Sequence, residues 1–197
     1  MNDMKWNYSI GIDEVGRGPL AGPITLAALC LPAKFRPIRF DFPIKDSKQM
    51  TEDRRNVVFK ILNDLKDEGK INFSVTHIKH ISIDKYGITK CTQNGIKRCL
   101  KKLEIKPADT RILLDGALHA PEEFNNQKTI IRGDEKVKII ALASIVAKVS
   151  RDKRMINLAK KFPQYGFDCH KGYGTKMHKK AIKKYGLSEI HRRTFIK

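Results

Sequence analysis

The segment Gly11-Ile12-Asp13-Glu14-Val15-Gly16-Arg17-Gly18-Pro19-Leu20-Ala21-Gly22-Pro23 constrains this chain more than any other. Two adjacent carboxylates stand between an apolar run and a glycine-bracketed arginine. Tyr8 to Ile12 predict a short strand, and on a regular strand Asp13 and Glu14 would point to opposite faces. Both can serve one site only if the strand ends there, and Gly16 and Gly18 supply an ending, since glycine adopts backbone angles other residues avoid and admits a ligand close to the main chain. Carboxylates suit a hard divalent cation, whereas a guanidinium and bare peptide N–H groups suit phosphate or sugar oxygens.

Downstream, Ile24–Leu31 is a nearly continuous apolar run closed by Pro32, the pattern of a buried strand. Thr51 is a helix N-cap followed by Glu52 and Asp53, and Val57, Val58, Ile61, Leu62 and Leu65 keep helical spacing up to Gly69. Ile71–Ile78 alternates as a strand, and about Ile83 to Leu103 predicts a second, basic helix. Two further strands, Arg111–Asp115 and Lys128–Arg132, each lead to an acid, Asp115 itself and Asp134 after Gly133. A long helix is predicted from Val137 to about Phe162, stopped by Pro163, and a last basic helix from Lys176 to Tyr185, ending at Gly186. Strands first, then strands alternating with helices, imply an α/β fold, a mixed sheet flanked by helices. The length of 197 residues fits one domain, with a small helical C-terminal portion from about residue 165.

Asp13, Glu14, Asp115 and Asp134 are the candidate metal-binding and catalytic acids. If the strands carrying Asp13 and Asp115 are neighbours, their ends bring carboxylates together, and Asp134 reaches them from the start of the long helix. Each has a plainer reading beside this one. Asp134 also reads as a helix N-cap, and Asp115-Gly116 as a turn.

The chain carries 40 Lys and Arg against 21 Asp and Glu, a net charge of +19, so its field attracts polyanions and nucleic acid is the first partner to consider. An abundance of solvated surface lysine accounts for the same number equally well. Cys30, Cys91, Cys99 and Cys169 show neither a CxxC pair nor zinc spacing, which predicts free thiols in a reducing cytosol, with Cys30 in the core. No apolar signal-peptide core opens the chain and no 18 uncharged apolar residues run together. These features predict a cytoplasmic protein without membrane association.

The Gly11–Pro23 segment resembles the signature of the type 2 ribonucleases H, the bacterial ribonuclease HII family in particular. Further matches follow in order: Asp46-Ser47-Lys48, Leu113-Leu114-Asp115-Gly116, Gly133-Asp134, Ala143 through Asp152, and His170-Lys171-Gly172-Tyr173-Gly174-Thr175. The resemblance implies a ribonuclease H-like fold, with Asp13, Glu14, Asp115 and Asp134 holding Mg(II) or Mn(II), two ions during catalysis. It implies that Gly16, Arg17 and Gly18 recognise the ribose 2'-OH and adjoining phosphates at an RNA-to-DNA junction. It further implies that Tyr173 stacks on the sugar of the next nucleotide and that Lys48, Lys148 and Arg151 are phosphate contacts. Arg151 followed by Asp152 also reads as a local ion pair, and His191-Arg192-Arg193 reads as packing against the domain or, second, as further phosphate contacts.

The implied substrates are DNA duplexes containing ribonucleotides and RNA/DNA hybrids, cut by a monomer to leave 3'-OH and 5'-phosphate ends. A basic binding protein that keeps the fold without catalysis is the alternative. Lys45 and Leu114 depart from the family pattern, and Leu142 stands where a small residue is expected, a change predicted to alter how closely the long helix packs on the sheet.

Overall fold

A computed structural model describes residues 6–35, 38–44 and 47–196. Strands β1 (Tyr8–Val15) and β2 (Ile24–Pro32) pair antiparallel, in register from Tyr8 opposite Pro32 to Val15 opposite Thr25. The first strand therefore runs on through both acids instead of ending at Ile12, because this pairing holds Asp13 opposite Ala27 and Glu14 opposite Leu26. Strands β3 (Asn72–Ile78), β4 (Thr110–Asp115) and β5 (Gln127–Ile130) complete a sheet of order β3-β2-β1-β4-β5. β3 is antiparallel to β2, while β1, β4 and β5 are mutually parallel. β5 stops at Ile130, short of the predicted Arg132, which takes a left-handed φ of 55°.

Helix α1 (Glu52–Asp67) starts where its sequence says it should, with the Thr51 hydroxyl accepting from the Arg54 N–H. The predicted helix from Ile83 to Leu103 is instead two, α2 (His80–Tyr86) and α3 (Ile88–Leu103). Gly87 separates them at φ 77°, a turn the apolar periodicity does not reveal. After the short α4 (Gly133–Lys136) comes α5 (Lys138–Lys161), then α6 (Phe167–His170) and α7 (Lys176–Tyr185).

The pleat sorts the core into two faces. Ile10, Ile12, Leu26, Ile112 and Leu114 pack against Ile96, Cys99 and Leu100 of α3. Ala27, Leu29 and Leu113 pack against Ile140, Ala143 and Val146 of α5 and Val58 and Leu62 of α1. Gly11 determines how near α5 comes, since a Cβ there would lie 2.4 Å from the Ile139 carbonyl oxygen. Leu142 is buried in the α5 interface.

The C-terminal elements pack on the far end of α5 around Met155, Tyr165, Phe167 and Ile190. Cys30, Cys91 and Cys99 are buried free thiols and Cys169 an exposed one. Among the described residues no helix is long and apolar enough to cross a membrane.

Candidate active site

The register of β1 on β4 sets the site. Gly11 pairs with Leu113 and Ile12 with Leu114. The next pair outward is Asp13 and Asp115, on neighbouring parallel strands and on the sheet face covered by α5. Asp13 is 4% exposed. Its Oδ1 accepts from the Glu14 N–H at 2.7 Å, and the Ser144 hydroxyl hydrogen-bonds its carboxylate. Burial pushes the Asp13 carboxyl well above the usual range, and the charges of Glu14 and Asp115 push it further.

Glu14 faces the other side of the sheet. Burial raises it to about 7 against the pull of Arg17, whose guanidinium lies 3.8 Å from its Oε1. Its Oε2 is buried with no hydrogen-bond partner, an orphaned anionic acceptor of the kind a bound cation satisfies. Asp115 accepts from the Gly133 N–H at 2.6 Å and the Asp134 N–H at 3.4 Å, which seats α4 at the end of β4. Asp134, 9% exposed, lines a small cavity with Ile44, Val137 and Ala141. Among the described residues no three of these side chains, as they stand, close on one point that would hold a metal ion. The donor set still fits a hard divalent cation: every group is a carboxylate, and the cluster is desolvated and mutually repelling. Glu14 stands apart from the other three on the opposite face of the sheet.

Two cavities flank the end of β1. On the α5 side, one of about 430 Å³ brings together Lys48, Lys148 and Tyr173, with Val15, Ser47 and Arg55. On the α3 side, one of about 450 Å³ is lined by Glu14 and Arg17 with Thr89, Thr92, Gln93 and His119. Lys148 is paired with Asp152 at 2.9 Å. Asp46 lies outside the described residues, as does Lys45.

Arg151 does not fit the phosphate contact expected of it. It is fully buried, donating to the carbonyls of Pro23 (2.9 Å), Lys171 (2.9 Å) and Ala21 (3.4 Å), while Asp152 pairs with Lys148 instead. Its Cζ sits 5.7 Å from the Tyr173 ring centroid, so it supports that ring from behind. Gly16, at φ 96°, leaves room for it, because a Cβ there would fall 2.2 Å from the Arg151 Nε. Gly18 has no such neighbour and no positive φ.

Arg192 does the matching work from the C-terminal side, donating to Gly16 O (2.7 Å), Arg17 O (2.9 Å) and Gly22 O (2.9 Å). The segment carrying Tyr173 docks on the same loop, with the Leu20 N–H donating to Gly172 O at 2.9 Å. A histidine chain holds the Tyr173 backbone. The Ser188 N–H donates to His191 Nδ1, so the neutral His191 carries its proton on Nε2 and donates to His178 Nε2, 3.0 Å away. The His178 Nδ1–H then donates to Tyr173 O at 2.9 Å. The unexpected participants are thus Ser47, Ser144, Arg192 and this chain. Ser47 and Ser144 stood inside recognised motifs, whereas nothing in the sequence around Arg192 signals a buried guanidinium.

Known proteins resemble this chain over nearly its whole length. The family model described as "Ribonuclease HII" matches residues 10–197. Ribonuclease HII of Endomicrobium trichonymphae is 43% identical over 185 residues, covering 94% of this chain and 83% of the relative. That of Caldicellulosiruptor bescii is 40% identical over 192 residues, covering 98% and 88%. The crystal structure of ribonuclease H2 from Pyrococcus horikoshii OT3 superposes with a TM-score of 0.73 at 27% identity, covering 95% of this chain and 93% of that one.

Proposed function

The chain belongs to the ribonuclease HII family, and from that premise we propose that it is an endonuclease that cuts the phosphodiester 5' to a ribonucleotide embedded in duplex DNA, and the RNA strand of RNA/DNA hybrids, leaving 3'-OH and 5'-phosphate ends. Its target is the ribonucleotide misincorporated in DNA. The observation that carries the reading is the adjacency of Asp13 and Asp115 on parallel strands, beside a Glu14 whose buried Oε2 lacks a partner.

Asp13, Glu14 and Asp115, with Asp134 at the start of α4, hold Mg(II) or Mn(II). When bound, such ions activate a water and stabilise the leaving oxygen in phosphodiester hydrolysis. The rest of the work belongs to the protein. The Gly16–Gly18 peptide, its carbonyls turned inward to Arg192, leaves its N–H groups and the Arg17 side chain for the ribose 2'-OH and adjoining phosphates. Tyr173, 39% exposed above buried Arg151, offers its ring to the sugar of the following nucleotide. Lys48 and Lys148 line the same cavity and bind the phosphates, Lys148 exchanging Asp152 for the substrate.

The test is cleavage of a labelled duplex containing one ribonucleotide, beside all-DNA and hybrid duplexes, with Mg(II), Mn(II) or chelator. Metal-dependent incision 5' to the ribonucleotide, lost in Asp13→Asn, is the expected result. Cutting of the hybrid alone would remove the junction roles of Arg17 and Tyr173, and binding without cutting in either metal would overturn the assignment.

A further inference from the structure

One cavity lies apart from Asp13, Glu14, Asp115 and Asp134. It measures about 970 Å³ and lies beyond the open edge of β3, between α3, the C-terminal half of α5 and the Glu189–Ile190 segment. Its walls carry Lys79, Arg98, Lys101, Lys102, Arg154 and Lys161, against only Glu104 and Glu189. Lys102 is committed to the Val75 carbonyl of the strand edge at 2.8 Å. Arg98, Lys101, Arg154 and Lys161 form no ion pair with a described residue.

Like charges gathered in a concavity repel one another, and low-dielectric walls focus their field outward. The field registers on a neighbour. His77, in the same wall, is pushed down to about 4 by burial first and then by Arg154 and Lys102, and it stays a neutral partner of the Thr25 hydroxyl at 2.8 Å.

Two elements lead from the candidate site to this cavity. Its inner wall is Gly22-Pro23, the far end of the loop that begins at Gly16, and α5 passes from Lys148 at the site to Arg154 and Lys161 here. At 1.5 Å per residue those two lie roughly 9 and 20 Å further along the helix axis, and on another of its faces. With about 3.4 Å between successive phosphates of a strand, that is on the order of three to six nucleotides away.

We propose that this groove is a second phosphate-binding site, which takes the sugar–phosphate backbone of the duplex flanking the incision, several nucleotides from the ribonucleotide. The inference rests on the nuclease reading above. It assigns the groove to affinity and retention on long DNA and gives it no part in the chemistry.

The experiment is binding and incision by an Arg98→Glu/Lys101→Glu/Arg154→Glu variant. All three side chains are exposed, and an Arg98→Lys/Arg154→Lys control preserves both charge and surface. Binding is measured in chelator on single-ribonucleotide duplexes of two lengths, one confined to the incision site and one of about 30 base pairs, roughly 100 Å of backbone. The expected result is a loss of roughly tenfold or more for the long duplex at low salt, with the slope of log affinity against log salt reduced by about 2 to 3. The short duplex binds as before, kcat on it is unchanged, and the lysine control matches the parent. Equal weakening on both lengths, or no weakening on either, would overturn the proposal, the latter leaving an acidic protein as the occupant. Incision of the short duplex by the parent tests the nuclease reading independently, so the two can fail separately.

Discussion

The hydroxyl of Ser47 lies 2.8 Å from that of Ser144, and Ser144 in turn hydrogen-bonds the carboxylate of Asp13. With Asp13 ionised its carboxylate only accepts, which would turn the Ser144 hydroxyl towards Asp13 and leave the Ser47 hydroxyl as donor to Ser144. All three groups are buried, which makes the chain a rigid link between the segment bearing Lys48 and the acid at the end of β1.

Ser144→Ala is therefore expected to lower kcat about tenfold, equivalent to ~1.4 kcal/mol, with substrate KM little changed. The midpoint of a metal titration, followed both by incision and by metal-induced stabilisation, should move upward, since Asp13 loses the donor that orients it. Ser144→Thr keeps the hydroxyl and should restore most of the loss. If Ser144→Ala takes metal at the parent's midpoint, the serine is only filling space.

Arg192 ties the C-terminal segment to Gly16 O, Arg17 O and Gly22 O. Replacing it with Met leaves those carbonyls without their donor, a cost of order 3 kcal/mol in stability. Because the loop it braces bears Arg17, incision at a single ribonucleotide should fall at least tenfold further than hydrolysis of a hybrid, measured on the same preparation below its melting temperature. Equal losses on the two substrates would reduce Arg192 to a stability element.

These two arginines mark the boundary of what the sequence makes legible. Asp13-Glu14 stands out because two acids after an apolar run and before a glycine-bracketed arginine are hard to explain structurally, whereas Asp115 and Asp134, which read equally as a turn and an N-cap, become candidates only through their motif context, and most element positions follow from periodicity. Arg151 was misread for a physical reason. A basic residue in a family motif reads as a phosphate contact, or beside Asp152 as an ion pair, and only the folded chain shows three carbonyls, from loops far apart in sequence, converging on its guanidinium. Gly87 escaped notice because apolar spacing continues across it. The extension of β1 through Glu14 depends on its pairing with β2, a tertiary contact that local glycine chemistry does not contain.

Gly11 is the position where α5 rests on β1. A methyl group there would meet the Ile139 carbonyl carbon at 2.5 Å and the Ile140 nitrogen at 2.9 Å, all of it backbone that cannot turn aside. Gly11→Ala should push the start of α5 off the sheet and cost about 2 to 3 kcal/mol. Its denaturant midpoint is expected to fall, and because α5 carries Ser144, activity should fall at temperatures where the variant is still folded. A parent-like midpoint would show that the helix can shift without penalty.

The acids and the histidines oppose one another in the pH dependence of stability. With metal chelated, Glu14 titrates at about 7 in the folded chain against 4.5 ordinarily, so the folded state keeps a proton the unfolded chain has lost. Its contribution is lost as pH rises through that window, by about 3 kcal/mol, and Asp13, also raised, adds in the same direction. His77 and His191, held at about 4 against 6.5, work the other way: stability falls as pH drops from about 6.5 towards 4, because the unfolded chain takes up protons the folded one refuses. The two trends offset each other between pH 4.5 and 6.5, and above that only the acids remain. Thermal melts in chelator should therefore decline from about pH 6.5 to 8 in the parent. Glu14→Gln should flatten that decline and melt higher than the parent at the alkaline end. Added Mg(II) should stabilise the parent there and leave Glu14→Gln much less affected, since it neutralises the same repulsion the substitution removes. A parent whose metal-free melting temperature stays level from pH 6.5 to 8 would mean that Glu14 is already ionised in the folded state, and that Arg17 suffices to hold it there.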